Sequence, residues 1–316
     1  MWSLDGFAKA LRRLPPVARG CLWMVLATTL LGVMNVIVRY LSREVHPFEI
    51  AFFRNLGQLV FMLPWLARAG LEAMRTDRLG MQAARAAAAL GGMLLWFSTL
   101  ALIPVAEATA LSFTAPLFAT IGAALVLGEV VRLRRWTATT IGFAGALLIL
   151  RPGAGEFSWS ALLALGAAAM FAVSALTLKS VSRTESPNAT VLYTALFMTP
   201  ASLVPAAFVW RWPGLDSLLW LAALGLVATL AHQSLTRAYA AADASAVAPF
   251  DFFRLPAAAA IAYVAFGEAP DAWTWIGAAV IFAATAYIAR REARLAAAEP
   301  GARGSAALGA STVQRP

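Results

Sequence analysis

The chain has one cysteine, Cys21, and two histidines, His46 and His232, among 316 residues. A single cysteine excludes an internal disulfide framework and a cysteine-ligated metal site, and two distant histidines are too few for a histidine-rich one. No cofactor or metal is expected. Charge is scarce too: 13% of residues are Asp, Glu, Lys or Arg, against 61% that are hydrophobic. A soluble chain cannot carry that ratio without exposing very large apolar patches. No GxxxxGK[ST] stretch occurs, so ATP coupling within this chain has no support. The connections between apolar runs are short, and no cluster of His, Cys, Asp and Glu gathers beside them, which argues against an enzyme. The net charge is +9, but Lys and Arg flank hydrophobic runs rather than filling one basic face, so a nucleic-acid partner is not indicated.

What the chain does have is a series of long apolar runs. Crossing the hydrocarbon core takes about 20 such residues in a helix. Ten candidates appear, at 20–41, 48–66, 83–102, 105–127, 135–151, 158–180, 188–209, 215–238, 244–266 and 272–289. The first has no small-residue cleavage site before the next and is read as a retained span. Residues 1–19 are basic and amphipathic, with Leu4, Phe7, Leu11 and Leu14 at helical spacing, which suits the membrane surface. Residues 291–316, rich in Ala, Gly and Ser, are expected to be disordered. With the N-terminus inside, the outer side holds only Arg39, Arg43, Arg151 and Arg211 of the 25 Lys and Arg, while Arg54 and Arg254 fall within spans. Both termini are therefore expected in the cytoplasm.

The ten runs hide a repeat. At an offset of 140, Ser42, Arg43 and Pro47 meet Ser182, Arg183 and Pro187, and Arg39 lies over Lys179. Ala106, Ala108, Phe113 and Pro116 meet Ala246, Ala248, Phe253 and Pro256, and Gly128-Glu129 meets Gly267-Glu268 after a one-residue slip. Each half then holds five spans. Five is odd, so the second copy enters the membrane inverted. The loops agree, because residues 132–135 after Glu129 are basic whereas 269–271 after Glu268 have no Lys or Arg. The expected fold is an all-α polytopic membrane protein, with ten transmembrane helices in two inverted five-helix repeats, 20–151 and 158–290, around a central cavity.

The stretch AEATALSFTAPLFATIGAALVLGEVVRLRRW closing in GFAGALLILRPG, and its partner FGEAPDAWTWIGAAVIFAATAYIARRE, resemble the EamA-type branch of the drug/metabolite transporter superfamily over about residues 20–290. The most specific part is a proline within the fourth and ninth spans followed by Gly-Glu at the helix end. The resemblance implies a multi-pass carrier of the bacterial inner membrane, with spans five and ten peripheral. It implies a small metabolite as substrate, such as an amino acid or derivative, a vitamin like riboflavin, or a nucleoside. A coupling proton or counter-substrate and membrane lipid would be its other partners.

Polar residues inside spans are costly and mostly face the bundle interior or a water path. Span one carries Thr28, Gly32, Asn35 and Arg39 on one stripe. Span four carries Thr109, Ser112, Pro116 and Thr120, and span eight carries Thr229, His232, Thr236 and Tyr239. Span two adds Arg54 and Gln58 one turn apart, with Glu49 a turn earlier as a possible partner for Arg54. Trp96 sits in mid-span and, with Phe97, Phe113, Phe171, Phe250, Phe252 and Phe253, is a candidate aromatic wall. The candidate substrate-binding residues are Asn35, Arg54, Gln58, Trp96, Ser112, His232, Asp251 and Arg254. Each also has a structural reading, since hydroxyls in such helices commonly bond their own backbone. Asp251 and Arg254, three apart on one face, either neutralise each other or meet a zwitterionic substrate, with Asp251 as an alternative proton carrier. Their counterparts in the first half are the uncharged Leu111 and Thr114. A secondary transporter is the leading reading. A membrane enzyme or a channel is the alternative, although no re-entrant pore loop is visible.

Overall fold

The computed structural model describes residues 15–69, 76, 78–126, 133–150, 160–181, 187–241 and 248–298. The N-terminal segment to residue 14, the Gly128-Glu129 motif and the tail beyond 298 lie outside these, as do the side chains of Lys179, Thr236 and Tyr239. Among the described residues the fold is all-helical. In chain order the helices are α1 (Pro16–Leu41), α2 (Pro47–Ala69), α3 (Leu79–Leu102), α4 (Val105–Ser112), α5 (Ala115–Val126), α6 (Leu133–Leu150) and α7 (Ala161–Val181). There follow α8 (Pro187–Ala207), α9 (Leu215–Ala241), a 3-10 turn over Ala248–Phe253, α10 (Arg254–Phe266) and α11 (Ala272–Ala298). Each apolar run read from the sequence falls on a helix or on a consecutive pair.

Among the described residues, four stretches are long and apolar enough, by length and composition, to cross a membrane: Pro16–Leu41, Leu79–Leu102, Val105–Leu125 and Leu215–Leu235. Exposed Leu, Val, Phe and Trp side chains, such as Leu125, Leu147, Phe208 and Val264, cover the outside of the bundle. In water they would be an aggregation surface; against acyl chains they are matched.

Prolines begin several helices. Pro16, Pro47 and Pro187 each stand first in their helix, where a missing N–H costs nothing. α10 ends on Gly267, whose φ of 72° is left-handed and whose N–H donates to the Tyr263 carbonyl at 2.8 Å. α11 runs on to Ala298, past the boundary at 290 expected from sequence.

Eight positions form a closed ring. In order around it, α1 packs on α9, α9 on α2, α2 on α8, α8 on α3, α3 on α7, α7 on the broken α4–α5 pair, that pair on α10, and α10 on α1. α6 and α11 pack on each other beside the ring. Their crossing depends on small residues, because a Cβ on Gly277 would lie 2.6 Å from the Gly145 carbonyl oxygen. They run antiparallel: Gly145 approaches Ile281 while Gly277 approaches Ile149. α1 and α9 are antiparallel too, since Ser217 donates to Glu44 at one end and Arg237 lies over the Trp23 ring at the other. α3 and α7 repeat that pattern, with Ser174 on the Arg85 carbonyl and Phe171 against Gly92.

Candidate functional site

Two helix breaks meet in this ring. Pro116 has no N–H for the Ser112 carbonyl, so the helical ladder stops at Ser112 and restarts at Ala115. Between them, Phe113 and Thr114 donate backward by three residues, to Ala110 at 3.2 Å and Leu111 at 3.0 Å. Pro256 sets the same limit on the other half, where the 3-10 turn gives way to α10 at Arg254. Phe113 and Phe252 bring the breaks together, with ring centroids 4.4 Å apart, and Phe252 packs edge-on to Phe282 of α11 at 4.2 Å.

Arg254 bridges the breaks. Its guanidinium lies 5.1 Å above the Phe113 ring, its Nη2 is 3.4 Å from the Ser112 hydroxyl oxygen, and Asp251 Oδ2 is 3.6 Å away. Charge-assisted hydrogen bonds of this kind normally measure about 2.8 Å, so Arg254 and Asp251 are neighbours held loosely. Nε of Arg254 is buried without a partner. The side chains are 21% and 35% exposed, so neither is sealed in the core. Ser112 spends its own proton on the Thr109 carbonyl at 2.7 Å and offers Arg254 only its oxygen.

A second polar group lies between α2 and α9, which approach closely where Gly57 faces Gly225. Arg54 is 4% exposed. Its Nη1 donates to Asn55 Oδ1 at 3.0 Å and Gln58 Oε1 at 2.5 Å, and its Nε has no partner. His232 Nδ1 lies 2.8 Å from the Ala228 carbonyl and 3.5 Å from Arg54 Nη2. The carbonyl can only accept, so in that contact Nδ1 carries the hydrogen. Glu49 does not pair with Arg54. It sits in the first turn of α2, where unpaired backbone donors are nearer, and accepts from Arg211 N at 2.7 Å and His46 N at 3.3 Å. Asn55 and Ser202 belong to this group but escaped the sequence reading, which followed stripes of one face and passed over the neighbour of Arg54. Asn55 Nδ2 donates to Ser202 at 3.3 Å.

The third group is a single contact. Trp96 Nε1 donates to Asn35 Oδ1 at 3.2 Å, and both residues are buried. Phe97 is core, while Phe250 and Phe253 are exposed, so Phe113 and Phe252 are the expected aromatics that come together. Thr28, Thr109, Thr120 and Thr229 donate to carbonyls of their own helices. Among the described residues no group of three His, Cys, Asp or Glu is placed to hold a metal ion.

The sequence profile described as the EamA-like transporter family matches this chain twice, over residues 18–151 and 158–290. The chain belongs to the EamA-like transporter family. It is thus a transporter and not an enzyme. This EamA-like transporter is 39% identical over 279 residues to a riboflavin transporter of Rhizobium johnstonii, covering 87% of this chain and 92% of the relative. It is 33% identical over 266 residues to an S-adenosylmethionine uptake transporter of Rickettsia bellii, covering 84% and 91%. A solved crystal structure, 19% identical, superposes with a TM-score of 0.61 over 87% of this transporter and 98% of that chain, a likeness of fold.

Proposed function

We propose that this transporter imports riboflavin, or a similarly planar heterocycle rich in acceptors, across a bacterial inner membrane by alternating access. The observation that carries the reading is Arg254, loosely held and part-exposed, beside Phe113 and Ser112 at the meeting of two broken helices. A flat ring system stacks on an aromatic face, and unused guanidinium donors suit carbonyl and imine acceptors at its edge. Discontinuous helices near the membrane midplane are the usual place for a carrier to hold its cargo. Ser112, Asp251 and Arg254 form the core of the site. Arg54, Gln58 and His232 supply polar groups on a neighbouring wall, and Asn35 and Trp96 close it from one side. Asp251 is the candidate proton carrier if transport is proton-coupled; exchange against a counter-substrate is the other arrangement.

The carrier is read as two inverted five-helix repeats, 20–151 and 158–290, with both termini cytoplasmic. Three findings support this. The family profile matches each half separately. Exchanging every span for the one five further on leaves the helix neighbours of the ring unchanged. The partners that the exchange maps onto each other, α6 with α11 and α2 with α8, run antiparallel, as inversion requires.

A second reading has its own observation. Asp251 and Arg254 present opposite charges, which fits the ammonium and carboxylate of S-adenosylmethionine. Purified protein in liposomes, assayed for uptake of labelled riboflavin, decides between them. Saturable uptake, accelerated by unlabelled riboflavin inside and insensitive to S-adenosylmethionine, is expected. Flux without saturation would indicate a channel, and uptake of S-adenosylmethionine alone would favour the second reading.

A further inference from the structure

At the end of the ring opposite the Asp251 turn, one guanidinium holds four helices. Arg39 lies in the last turn of α1. Its Nη1 donates to the Leu100 carbonyl at 3.1 Å and the Ala101 carbonyl at 2.7 Å, at the C-terminus of α3. Its Nε and Nη2 donate to Glu268 Oε1 at 3.3 Å and 3.1 Å. The other carboxylate oxygen of Glu268 accepts from the N–H of Val105, the first residue of α4, at 3.2 Å. Glu268 follows Gly267, whose left-handed backbone ends α10.

α1 and α3 stand on opposite sides of the eight-membered ring, so a contact between them closes its mouth. One turn deeper on the same two helices, Asn35 and Trp96 make a second contact across it. The positions that the repeat maps onto α1 and α3 are α7 and α9. Among the described residues these two do not pack across the ring as α1 and α3 do. Among the described residues the ring is pinched at the Arg39 end.

We propose that the Arg39–Glu268 pair is a latch, closed in this conformation, that opens whenever substrate passes this end of the ring. The pair has the right strength for such a role. Both side chains keep about a fifth of their surface exposed, so water can take over their hydrogen bonds when they part, and neither is stranded as a buried charge. Glu268 is the shared partner of α1 and α4, so losing it releases the α4 N-terminus and leaves Arg39 only its two bonds to the α3 carbonyls. The proposal rests on the carrier reading for its role in transport, but the opening itself can be read without transport.

The test uses full-length protein in liposomes with Cys21 replaced by Ser and a reporter, Ile103→Cys, at the buried residue of the turn between α3 and α4. Labelling by a membrane-impermeant maleimide from the latch side is expected to rise about tenfold with Glu268→Gln, the size of an ordinary conformational coupling. An unchanged labelling rate overturns the latch, whether or not the protein carries riboflavin. A second variant, Arg39→Cys with Glu268→Cys, asks whether the latch must open. Cross-linking by a bis-methanethiosulfonate reagent, which spans the gap left by the two long side chains, is expected to stop uptake and reductant to restore it. Uptake at full rate by the cross-linked protein makes the pair a static staple and overturns the proposal.

Discussion

The breaks of the fourth and ninth runs share a proline, Pro116 or Pro256, and a phenylalanine three residues before it, Phe113 or Phe253. They differ in charge. The first break has Leu111, fully buried, and Thr114, whose hydroxyl bonds back to the Leu111 carbonyl at 2.7 Å. The second has Asp251 and Arg254 at the same places, half-buried and loosely paired. A helix of this kind is thus broken by its proline and satisfied by its own backbone, with no need of an ion pair. Charges placed at one break only, at a cost in a membrane, answer to something other than folding. The latch joins the two halves at the other end of the ring, where the first half supplies the base and the second half the acid.

The comparison between halves breaks most completely on topology. In a Cys21→Ser background, cysteines at Arg134 and Ala269 should label from opposite faces of the membrane. Labelling from one face removes the inversion and the mechanism with it. The next largest effect concerns the charged break. Asp251→Asn with Arg254→Gln should insert and fold at near wild-type yield yet lose transport by about tenfold or more, because removing both charges leaves neither unpaired. Uptake at the wild-type rate in that double variant would return the pair to a purely structural role. The single Arg254→Gln should lose transport as well, and folded yield measured alongside separates the two effects.

Packing between the halves gives a smaller, more graded effect. Gly277→Leu should reduce folded yield several-fold, since even a Cβ there meets backbone at 2.6 Å. Relative uptake of riboflavin over S-adenosylmethionine should stay the same in the protein that survives; a shifted preference would bring α6 and α11 into the pathway. The smallest effect tests the counterpart of the latch. Lys179 and Glu129 are the sequence counterparts of Arg39 and Glu268. Lys179→Gln should slow maleimide labelling at Ile103→Cys by about two- to fivefold, the opposite direction to Glu268→Gln, by favouring opening at the far end. A change in the same direction would mean that the two ends are not coupled.

Much of the architecture was legible before any coordinate. Apolar runs of about twenty residues have few alternatives to helices, and each one coincides with a helix or a pair of them. Pro116 and Pro256 stood out within their runs, but the breaks they make appear only in the helices themselves. The candidate residues were readable as types, since polar groups inside apolar runs stand out. Their partners were not. Glu49, a turn from Arg54, bonds backbone instead, and Arg39, a base near a helix end, pairs with a glutamate 229 residues away. Local spacing ranks neighbours along one helix, and these choices were made between helices.

The sequence by itself determined the solvent, the helices and the family, because hydrophobic length, proline chemistry and two matches to one family profile are properties of the chain alone. Only the tertiary structure decided that eight helix positions close into a ring and that Arg254 reaches Ser112 across two breaks. It also decided that Arg39 fastens opposite sides of one mouth. Those depend on which antiparallel faces meet and how closely glycines let them approach, and one chain of polar residues is compatible with many such pairings until packing selects among them.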